Sequence, residues 1–137
     1  LNGTYLFSKR ACMHFLKHGV EGHIVCISSK SGFAVTSPGH AHYATAKGAL
    51  TLMVKAMARE FTAKGITING VAPGMVRTPL NEDKLSQPHW LKYYEDRIPV
   101  GRVSTAHEVA YAVAFLASEK ARYIVGTIVD VTGGMLI

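Results

Sequence analysis

The sequence predicts an α/β fold in which a parallel sheet carries helices on both faces. Three short runs rich in apolar and β-branched residues are typical of buried strands: residues 23–28, 66–72 and 125–131. Helical segments alternate with these runs along the whole chain. Because strand and helix alternate, we expect the strands to run parallel in a doubly wound arrangement.

Two helices show apolar positions at helical spacing and end at glycine. Residues 4–18 follow this pattern up to Gly19, and residues 41–64 follow it over a longer stretch up to Gly65. Glycine is the usual residue after a helix because it adopts the left-handed conformation without steric cost. We therefore predict a helix before the first strand and a longer one between the first and second strands.

A third helix is predicted over residues 105–117, before the last strand. Ser104 is the expected N-terminal cap; Glu108 then lies four positions later and misses the three-residue spacing of a capping box. We find no repeat, linker or low-complexity stretch in the sequence. Residues 1–137 are therefore expected to form part of one domain, its C-terminal portion, because the first residues read as the inside of a helix and carry no initiator Met.

The composition argues against several partner classes. The longest apolar run, residues 109–117, is about half the length of a membrane span. The net charge is +6, but the fifteen Lys and Arg residues are mostly scattered singly, which favours a solvated basic surface over a nucleic-acid site. Cys12 and Cys26 form neither a disulfide framework nor a zinc pattern, so we expect buried, reduced thiols and a cytoplasmic location.

Residues 75–103 form a long segment of mixed composition between the second strand and the last helix. It contains three proline residues and the aromatic residues Trp90, Tyr93 and Tyr94. Connections of this length inside a compact domain are usually lids or binding loops. We therefore expect the segment to cover a ligand.

Tyr43 and Lys47 are the best candidates for catalysis. Their four-residue offset places both on one helix face, one turn apart. An ammonium about 5 Å from a phenol, at an effective dielectric near 20, stabilises the phenolate by roughly 3 kcal/mol. Such a pair can exchange a proton with a carbinol oxygen near neutral pH.

Polar or turn-forming residues follow two of the predicted strands. Ser28 ends the first predicted strand and Ser29 follows it, while Pro73 and Gly74 come directly after the second. In open parallel sheets, ligands bind beyond the carboxyl ends of the strands. The helix bearing Tyr43 starts close to this edge, so the serines and the tyrosine are expected to meet there.

With these residues in place, the chain resembles the C-terminal half of the short-chain dehydrogenase/reductase family, with its Rossmann-type fold. The matching segments, in order, are LNGTYLF, GHIVCISSKSG, HYATAKGAL, GITINGVAPGMVRTPL, EVAYAVAFLAS and VDVTGGM. The resemblance implies an enzyme that transfers a hydride between NAD or NADP and a secondary alcohol or its carbonyl form, with no metal.

The resemblance also implies roles for individual residues. Tyr43 would be the general acid/base, Lys47 would favour the tyrosinate and bind the nicotinamide ribose, and Ser29 would hold the substrate oxygen. Asn2 matches an asparagine that anchors a water relay behind the lysine. The loop that meets the nicotinamide and its carboxamide corresponds to Pro73, Gly74, Val76 and Thr78, with Tyr43 and Lys47 as further cofactor contacts.

Two departures from the family pattern leave alternatives open. The glycine-rich phosphate loop and the residue that selects NAD or NADP would precede Leu1. Ser29 lies fourteen residues before Tyr43, one more than is commonest in the family. An extra residue in the turn at 37–39 would explain this, and Ser28 and Ser31 remain alternatives to Ser29.

The segment RTPLNEDKLSQPHW, followed by IPVGR, most resembles sugar and polyol dehydrogenases of the family, such as glucose 1-dehydrogenases. Reduction of 3-oxoacyl thioesters is the alternative activity. A non-catalytic assembly or binding module is a third hypothesis for the chain alone, because half of such a domain lacks the dinucleotide cradle and exposes a sheet edge.

Small molecules are the expected ligands, with no nucleic acid and no membrane as partners. The small residues Ala44, Ala46, Gly48 and Ala49 allow close helix packing. The family resemblance favours their use between subunits, so a homo-oligomer, either a dimer or a tetramer, is expected.

His40 and His42 flank the active-site turn and are candidates for substrate contact. His14 and His18 are one helical turn apart, but without a third ligand they are interpreted as surface or packing residues.

Overall fold

The computed structural model describes residues 1–35 and 38–137. This part of the chain contains five α-helices and three strands; three of the helices are the predicted ones, and two short helices lie in the long segment of residues 75–103. The helices are α1 (Asn2–His18), α2 (Ala41–Phe61), α3 (Glu82–Leu85), α4 (Pro88–Glu95) and α5 (Ala106–Leu116). The strands are β1 (Gly22–Ile27), β2 (Ile66–Pro73) and β3 (Ile128–Val131). Among the described helices, none is both long and apolar enough to cross a membrane.

The three strands form a parallel sheet in the order β1-β2-β3, which confirms the predicted α/β class. β1 pairs with β2 from Gly22 opposite Ile66 to Ile27 opposite Val71. The ladder continues one bond beyond β1, because the Ser28 amide donates to the Val71 carbonyl at 2.8 Å. The carboxyl ends of β1 and β2 therefore lie side by side at one edge of the sheet.

Two hydrophobic clusters lie on opposite faces of the sheet, so helices cover both faces as predicted. α1 and α2 supply Cys12, Val54 and Met57 to one cluster, which also contains Ile66 and Ile68 of β2. The other cluster is centred on Val71, Leu116 and Ala121. Residues of β2 pack into both clusters, Ile66 and Ile68 into the first and Val71 into the second, because successive side chains of a strand point to opposite faces.

The last strand is shorter than predicted, since residues 125–127 precede β3 instead of belonging to it. Gly126 has a φ of 68°, a left-handed conformation incompatible with a strand. The buried side chain of Asn69 holds this connection: its Nδ2 donates to the Ile124 carbonyl at 2.7 Å, and its Oδ1 accepts from the Thr127 amide at 3.1 Å. A buried amide on β2 therefore fixes where β3 begins.

The predicted cap of α5 was wrong by one residue. Thr105, not Ser104, is the N-cap, so Glu108 falls at the third helical position and forms a capping box with it. The Thr105 Oγ1 accepts from the Glu108 amide at 3.3 Å, and the Thr105 amide donates to the Glu108 carboxylate at 2.8 Å. Ser104 instead donates its hydroxyl to the Met75 carbonyl at 3.2 Å.

The long segment 75–103 contains α3 and α4 and a hydrophobic cluster of its own. Leu85, Ile98 and Val103 are buried in this cluster, and Leu91 and Tyr94 pack against it. The segment is therefore a folded unit and not an irregular loop. Its placement over the carboxyl edge of the sheet is what brings Tyr93, Tyr94 and Arg97 to the cleft described below.

Both cysteines are buried and unpaired, as the sequence predicts. Burial raises the pKa of the Cys12 and Cys26 thiols, because the charged thiolate would lose its hydration. Thiols with a raised pKa in an apolar cluster are poor nucleophiles. Their role is therefore packing.

Candidate active site

Tyr43 and Lys47 occupy the first two turns of α2, on one face of the helix. The Lys47 Nζ lies 5.7 Å from the centroid of the Tyr43 ring. Tyr43 is 40% exposed, so its phenol is open to a ligand from the surface. The pair therefore has the mutual geometry that its four-residue spacing predicts.

The Lys47 ammonium is directed at the end of β1. Its Nζ donates to the backbone carbonyl of Ile27, the last residue of that strand, at 2.8 Å. This bond holds the cation at the carboxyl edge of the sheet, where ligands of parallel α/β folds bind. The helix and the strand thus place Tyr43 and Lys47 together at this edge.

The turn after β1 packs directly against the backbone of α2. Ser28 donates its hydroxyl to the Lys47 carbonyl at 3.0 Å. A Cβ on Gly32 would lie 2.8 Å from the Lys47 carbonyl carbon and oxygen, closer than real Cβ atoms come. Gly48 approaches the Gly32 carbonyl from the other side. Two of the four small residues of this helix are thus used inside the protomer, since Ala44 is buried as well.

The three candidate serines have different surroundings. Ser28 uses its hydroxyl on α2, as described above. Ser29 is buried, and its Oγ accepts from the Ser31 amide at 3.2 Å, which caps the short 3-10 turn of residues 30–32. Ser31 lines the cleft that also contains Tyr43. The extra residue suggested for the turn at 37–39 falls partly on Ser37, which is outside the described residues.

A cleft of about 390 Å³ opens beside Tyr43. Its wall combines the turn after β1, the start of α2, the segment containing α4 and the C-terminal end of the chain. The described residues that line it are Lys30, Ser31, Val35, His40, Tyr43, Met75, Tyr93, Tyr94, Arg97 and Met135. Of the two histidines considered from the sequence, His40 is in this lining and His42 is not. The volume is in the range of small-molecule sites.

The aromatic residues of α4 are held by cations. The Arg97 guanidinium lies 3.7 Å above the centroid of the Tyr93 ring and donates to the Tyr93 carbonyl at 2.9 Å. The Lys84 Nζ lies 4.0 Å above the Trp90 ring and donates to the Tyr94 hydroxyl at 3.0 Å. These contacts fix the side of the cleft that faces Tyr43.

The loop after β2 is fastened at both ends. Pro73 ends β2, and a Cβ on Gly74 would lie 2.9 Å from the Thr132 Cα, so only glycine fits against the end of β3. Val76 forms a parallel bridge with Ser104. The Thr78 amide donates to the Asn81 Oδ1 at 2.9 Å.

Asn81 ties this loop together and was not singled out from the sequence. Its Nδ2 donates to the Val76 carbonyl at 2.7 Å, while its Oδ1 accepts from Thr78. The side chain thereby closes the turn over Pro79. The available signal was Pro79 followed two positions later by Asn81, because both residue types are enriched in turns.

Asn2 lies outside the lining of the cleft beside Tyr43. It is the first residue of α1 and is exposed. It lines a groove with Ala49, Leu52 and Met53 of α2, on a different side from the cleft at Tyr43. Asn2 therefore neighbours α2 without belonging to the cleft lining.

His14 and His18 lie on α1 with their ring centroids 4.4 Å apart. Within residues 1–35 and 38–137, no group of three His, Cys, Asp or Glu side chains could hold a metal ion. The two rings contact each other at a tilt of 45°. This is consistent with their interpretation as packing residues at the surface.

Comparison with known proteins identifies relatives over the whole chain. It is 36% identical to a 3β-hydroxysteroid dehydrogenase of Eggerthella lenta over 137 residues, 52% of that protein. It is 34% identical to glucose 1-dehydrogenase 2 of Bacillus subtilis, covering 52% of it. It is also 42% identical to a 3-oxoacyl-(acyl-carrier-protein) reductase of Rickettsia prowazekii, covering 55% of it. Each match includes all of this chain, which thus spans about half the length of these relatives.

Solved structures of similar fold include dehydrogenases with bound nicotinamide cofactors. A 4-hydroxyisoleucine dehydrogenase complexed with NADH matches 98% of the chain with a TM-score of 0.94 and 27% identity, over 55% of its own length. A gluconate 5-dehydrogenase from Burkholderia cenocepacia in complex with NADP and tartrate matches 98% of the chain with a TM-score of 0.90 and 30% identity, over 52% of its own length. The model of the family described as enoyl-(acyl carrier protein) reductase matches residues 1–136. The chain belongs to the short-chain dehydrogenase/reductase family.

Proposed function

We propose that the full-length protein carrying this chain transfers a hydride between NAD or NADP and a secondary alcohol or carbonyl group, with a sugar or polyol as substrate. The observation that carries this proposal is the Tyr43–Lys47 pair beside a cleft of small-molecule size, at the carboxyl edge of a parallel sheet. The dehydrogenases with bound NADH or NADP that share its fold support the cofactor assignment.

Tyr43 is the general acid/base of the proposed reaction. In oxidation, its phenolate takes the proton of the substrate hydroxyl. NAD(P)⁺, which Lys47 and the loop after β2 would hold, would supply the acceptor for the hydride of the carbinol carbon. In reduction, the Tyr43 hydroxyl returns the proton to the carbonyl oxygen. The Lys47 ammonium, one helical turn away, would stabilise negative charge that develops on the phenol oxygen during proton transfer, and this effect would strengthen if the cleft excluded water.

Ser29 is proposed to hold the substrate oxygen, since a hydroxyl can donate to and accept from a carbinol. The end of β1 and the bond from the Ser31 amide give its Oγ a defined position. Ser31 is the alternative, because it lines the cleft with Tyr43. Ser28 is a weaker candidate, since its hydroxyl is already bonded to the Lys47 carbonyl.

The residues present fit the nicotinamide end of NAD(P). An ammonium has three donors, and Lys47 uses one on the Ile27 carbonyl, so others are available to ribose hydroxyls. The loop of Pro73, Gly74, Val76 and Thr78 starts at the adjacent strand end, as a loop that contacts nicotinamide would. Asn2 is proposed to act behind Lys47 through water, from its place beside α2.

A homo-oligomer and a cytoplasmic location are proposed for the same protein. Apolar side chains are exposed on the helices next to the catalytic face: Phe7 on α1 is 82% exposed, and Leu6 and Leu52 are also exposed. Patches of this kind mark protein interfaces. The two buried thiols support a reducing compartment.

Reduction of 3-oxoacyl thioesters is the second candidate activity, because the 3-oxoacyl-(acyl-carrier-protein) reductase relative has 42% identity. The two activities are separated by steady-state assays of the full-length protein with D-glucose, D-gluconate and D-sorbitol plus NAD⁺ or NADP⁺, and with acetoacetyl-coenzyme A plus NADH or NADPH. The appearance or loss of reduced nicotinamide is measured.

Tyr43→Phe tests the chemistry itself. It keeps the ring and removes the hydroxyl, so turnover should fall by more than about 1000-fold while the fold persists, because general acid/base groups supply about that much. Tyr123→Phe is the matched control, since Tyr123 is fully exposed and outside the cleft. Full activity of the Tyr43→Phe protein, or the absence of turnover with every substrate, would contradict the proposal and favour a non-catalytic module.

A further inference from the structure

We infer that the cleft beside Tyr43 selects substrates that carry a carboxylate, and that Arg97 is the residue that binds it. The substrate class is then the small hydroxy acids, such as aldonates, in preference to neutral polyols. The inference rests on the proposed oxidoreductase function for its reaction, but it makes a separate prediction about binding.

The charges of the cleft point to an anion. Its lining contains the two cationic side chains Lys30 and Arg97, whereas none of the described lining residues is acidic. A concave site lined by charges of one sign concentrates ligands of the opposite sign. The neutral lining residues, chiefly Tyr93, Tyr94 and Met75, are apolar or aromatic over most of their surface. Arg97 itself is exposed, so a ligand can reach its guanidinium from solvent.

Arg97 lacks the acidic partner that three other arginines have. Arg77, Arg102 and Arg122 are bonded to glutamate side chains. Arg97 has no acidic partner within salt-bridge distance among the described residues, although Asp96 and Glu95 are its neighbours in sequence. Within residues 1–35 and 38–137, no carboxylate in contact with it neutralises its positive charge.

The guanidinium is nevertheless held in place. It stacks on the Tyr93 ring at 3.7 Å and donates one N–H to the Tyr93 carbonyl. Stacking of this kind leaves the edge of the planar group accessible, and a guanidinium has five donors in a fixed fork that matches a carboxylate. A preorganised fork loses little conformational entropy when the ligand binds.

Lys30 adds a second charge to the same wall. Burial lowers the pKa of its ammonium, because the charged form is partly desolvated there. An anion bound in the cleft would favour the charged form and offset this cost. Lys30 thus strengthens the preference for an anion, while Arg97 supplies the directional bonds.

The test is a binding titration of the full-length protein loaded with oxidised cofactor, in the Tyr43→Phe background so that no turnover occurs. D-Gluconate and D-sorbitol are the probes, because they differ only in a carboxylate against a hydroxymethyl group. We expect gluconate to bind at least about tenfold more tightly than sorbitol, as a charge-assisted bidentate bond supports.

Variants assign the effect to Arg97. Arg97→Gln should weaken gluconate binding by about tenfold or more and sorbitol binding by less than about threefold, and Arg97→Lys should recover part of the loss, since it restores the charge without the fork. Lys92→Gln is the matched control: it removes one charge from α4 at an exposed side chain outside the cleft and should change neither affinity by more than about twofold.

Equal affinities for gluconate and sorbitol, failure of gluconate to bind, or an unchanged gluconate affinity in Arg97→Gln would each overturn the inference. Binding of sorbitol 6-phosphate without binding of gluconate would also overturn it, in favour of a phosphate site. The proposed function can be judged independently. Oxidation of neutral polyols with no role for Arg97 leaves the function standing, whereas Arg97-dependent gluconate binding without turnover of any substrate contradicts the function alone.

Discussion

The hydroxyl of Ser28 donates to the backbone carbonyl of Lys47 at 3.0 Å, and this bond joins the end of β1 to α2. The Lys47 ammonium returns a bond to the Ile27 carbonyl at 2.8 Å. Strand and helix are thus joined twice around one lysine. The position of Lys47 relative to Tyr43 and to the turn after β1 depends on this junction.

The Ser28 bond predicts that replacing Ser28 mainly lowers stability, whereas replacing Ser29 mainly lowers turnover. Ser28→Ala should lower the free energy of unfolding by about 1 kcal/mol, because it leaves the Lys47 carbonyl without this donor, while turnover stays within about threefold. Ser29→Ala should have the opposite profile, with a large loss of turnover and a small loss of stability. Urea unfolding and steady-state assays check both. A large catalytic loss in Ser28→Ala with normal Ser29→Ala activity would exchange their roles.

Gly32→Ala should be strongly disruptive, because the new Cβ would meet the Lys47 carbonyl at 2.8 Å and both partners are backbone. We expect a loss of about 1–3 kcal/mol in stability together with reduced turnover, as for overpacked cores. Gly3→Ala is the control, since nothing lies within 4 Å of its Cβ position on α1. That variant should be neutral or slightly more stable. Thermal unfolding of the two variants is the measurement.

Lys47→Met should change the pH profile of any residual oxidation. The tyrosinate loses its nearby ammonium, so the activity optimum should move to higher pH, and cofactor binding should weaken because the proposed ribose contact is lost. Lys55→Met, at an exposed position of the same helix, is the control. Rate profiles against pH and fluorescence titration with NADH or NADPH check this prediction. Normal cofactor affinity with an unshifted profile would remove Lys47 from the mechanism.

The capping box predicts a pH dependence of stability. Hydrogen bonds from Arg102 and from the Thr105 amide lower the pKa of Glu108 from 4.5 to about 2. A depressed carboxyl pKa gives stability that is present above 4.5 and is lost as the pH falls towards about 2. Glu108→Gln should flatten this part of the stability curve, measured by chemical unfolding across that range. An identical pH dependence in wild type and Glu108→Gln would show that the cap contributes nothing to it.

The segment 79–102 is expected to close over bound cofactor and substrate and to exclude water from the hydride path. Hydrogen exchange in its amides should slow when both ligands are added, most clearly in α4, which carries Tyr93 and Tyr94. Amides of β2 should change little, because the strand is already buried. Equal protection of α4 with and without ligands would indicate a static segment, and substrate selection would have to be sought elsewhere.

Periodicity and turn residues were sufficient to predict the parallel sheet, the long helix α2 and the placement of Tyr43 and Lys47 on one face of it, because these depend on local spacing. The start of β3 was predicted too early because the left-handed Gly126 and the bonds from Asn69 are set by tertiary contacts. The cap of α5 was predicted one residue too early because Ser104 and Thr105 have similar cap propensity. Ser104 is used instead by the bridge next to Met75.

Arg97 shows the same limit within the site. It follows Tyr93 by four residues, a spacing that favours a cation over an aromatic ring, but the sequence does not show which helix face meets the cleft. Which face meets the cleft depends on how the cluster of Leu85, Ile98 and Val103 packs the segment 75–103 against the sheet.

The partners of the Asn69 side-chain amide affect the order in which parts of the chain can fold. Its two partners, Ile124 and Thr127, lie 55 and 58 positions later in the sequence. Before these two residues are synthesised, only water can form hydrogen bonds with the Asn69 side chain of β2. Burying this amide in the apolar clusters at that stage would cost free energy, because its polar atoms would have no partner. A ribosome-bound chain that stops before residue 124 therefore cannot complete this sheet. We therefore expect cooperative folding only after β3 has been synthesised.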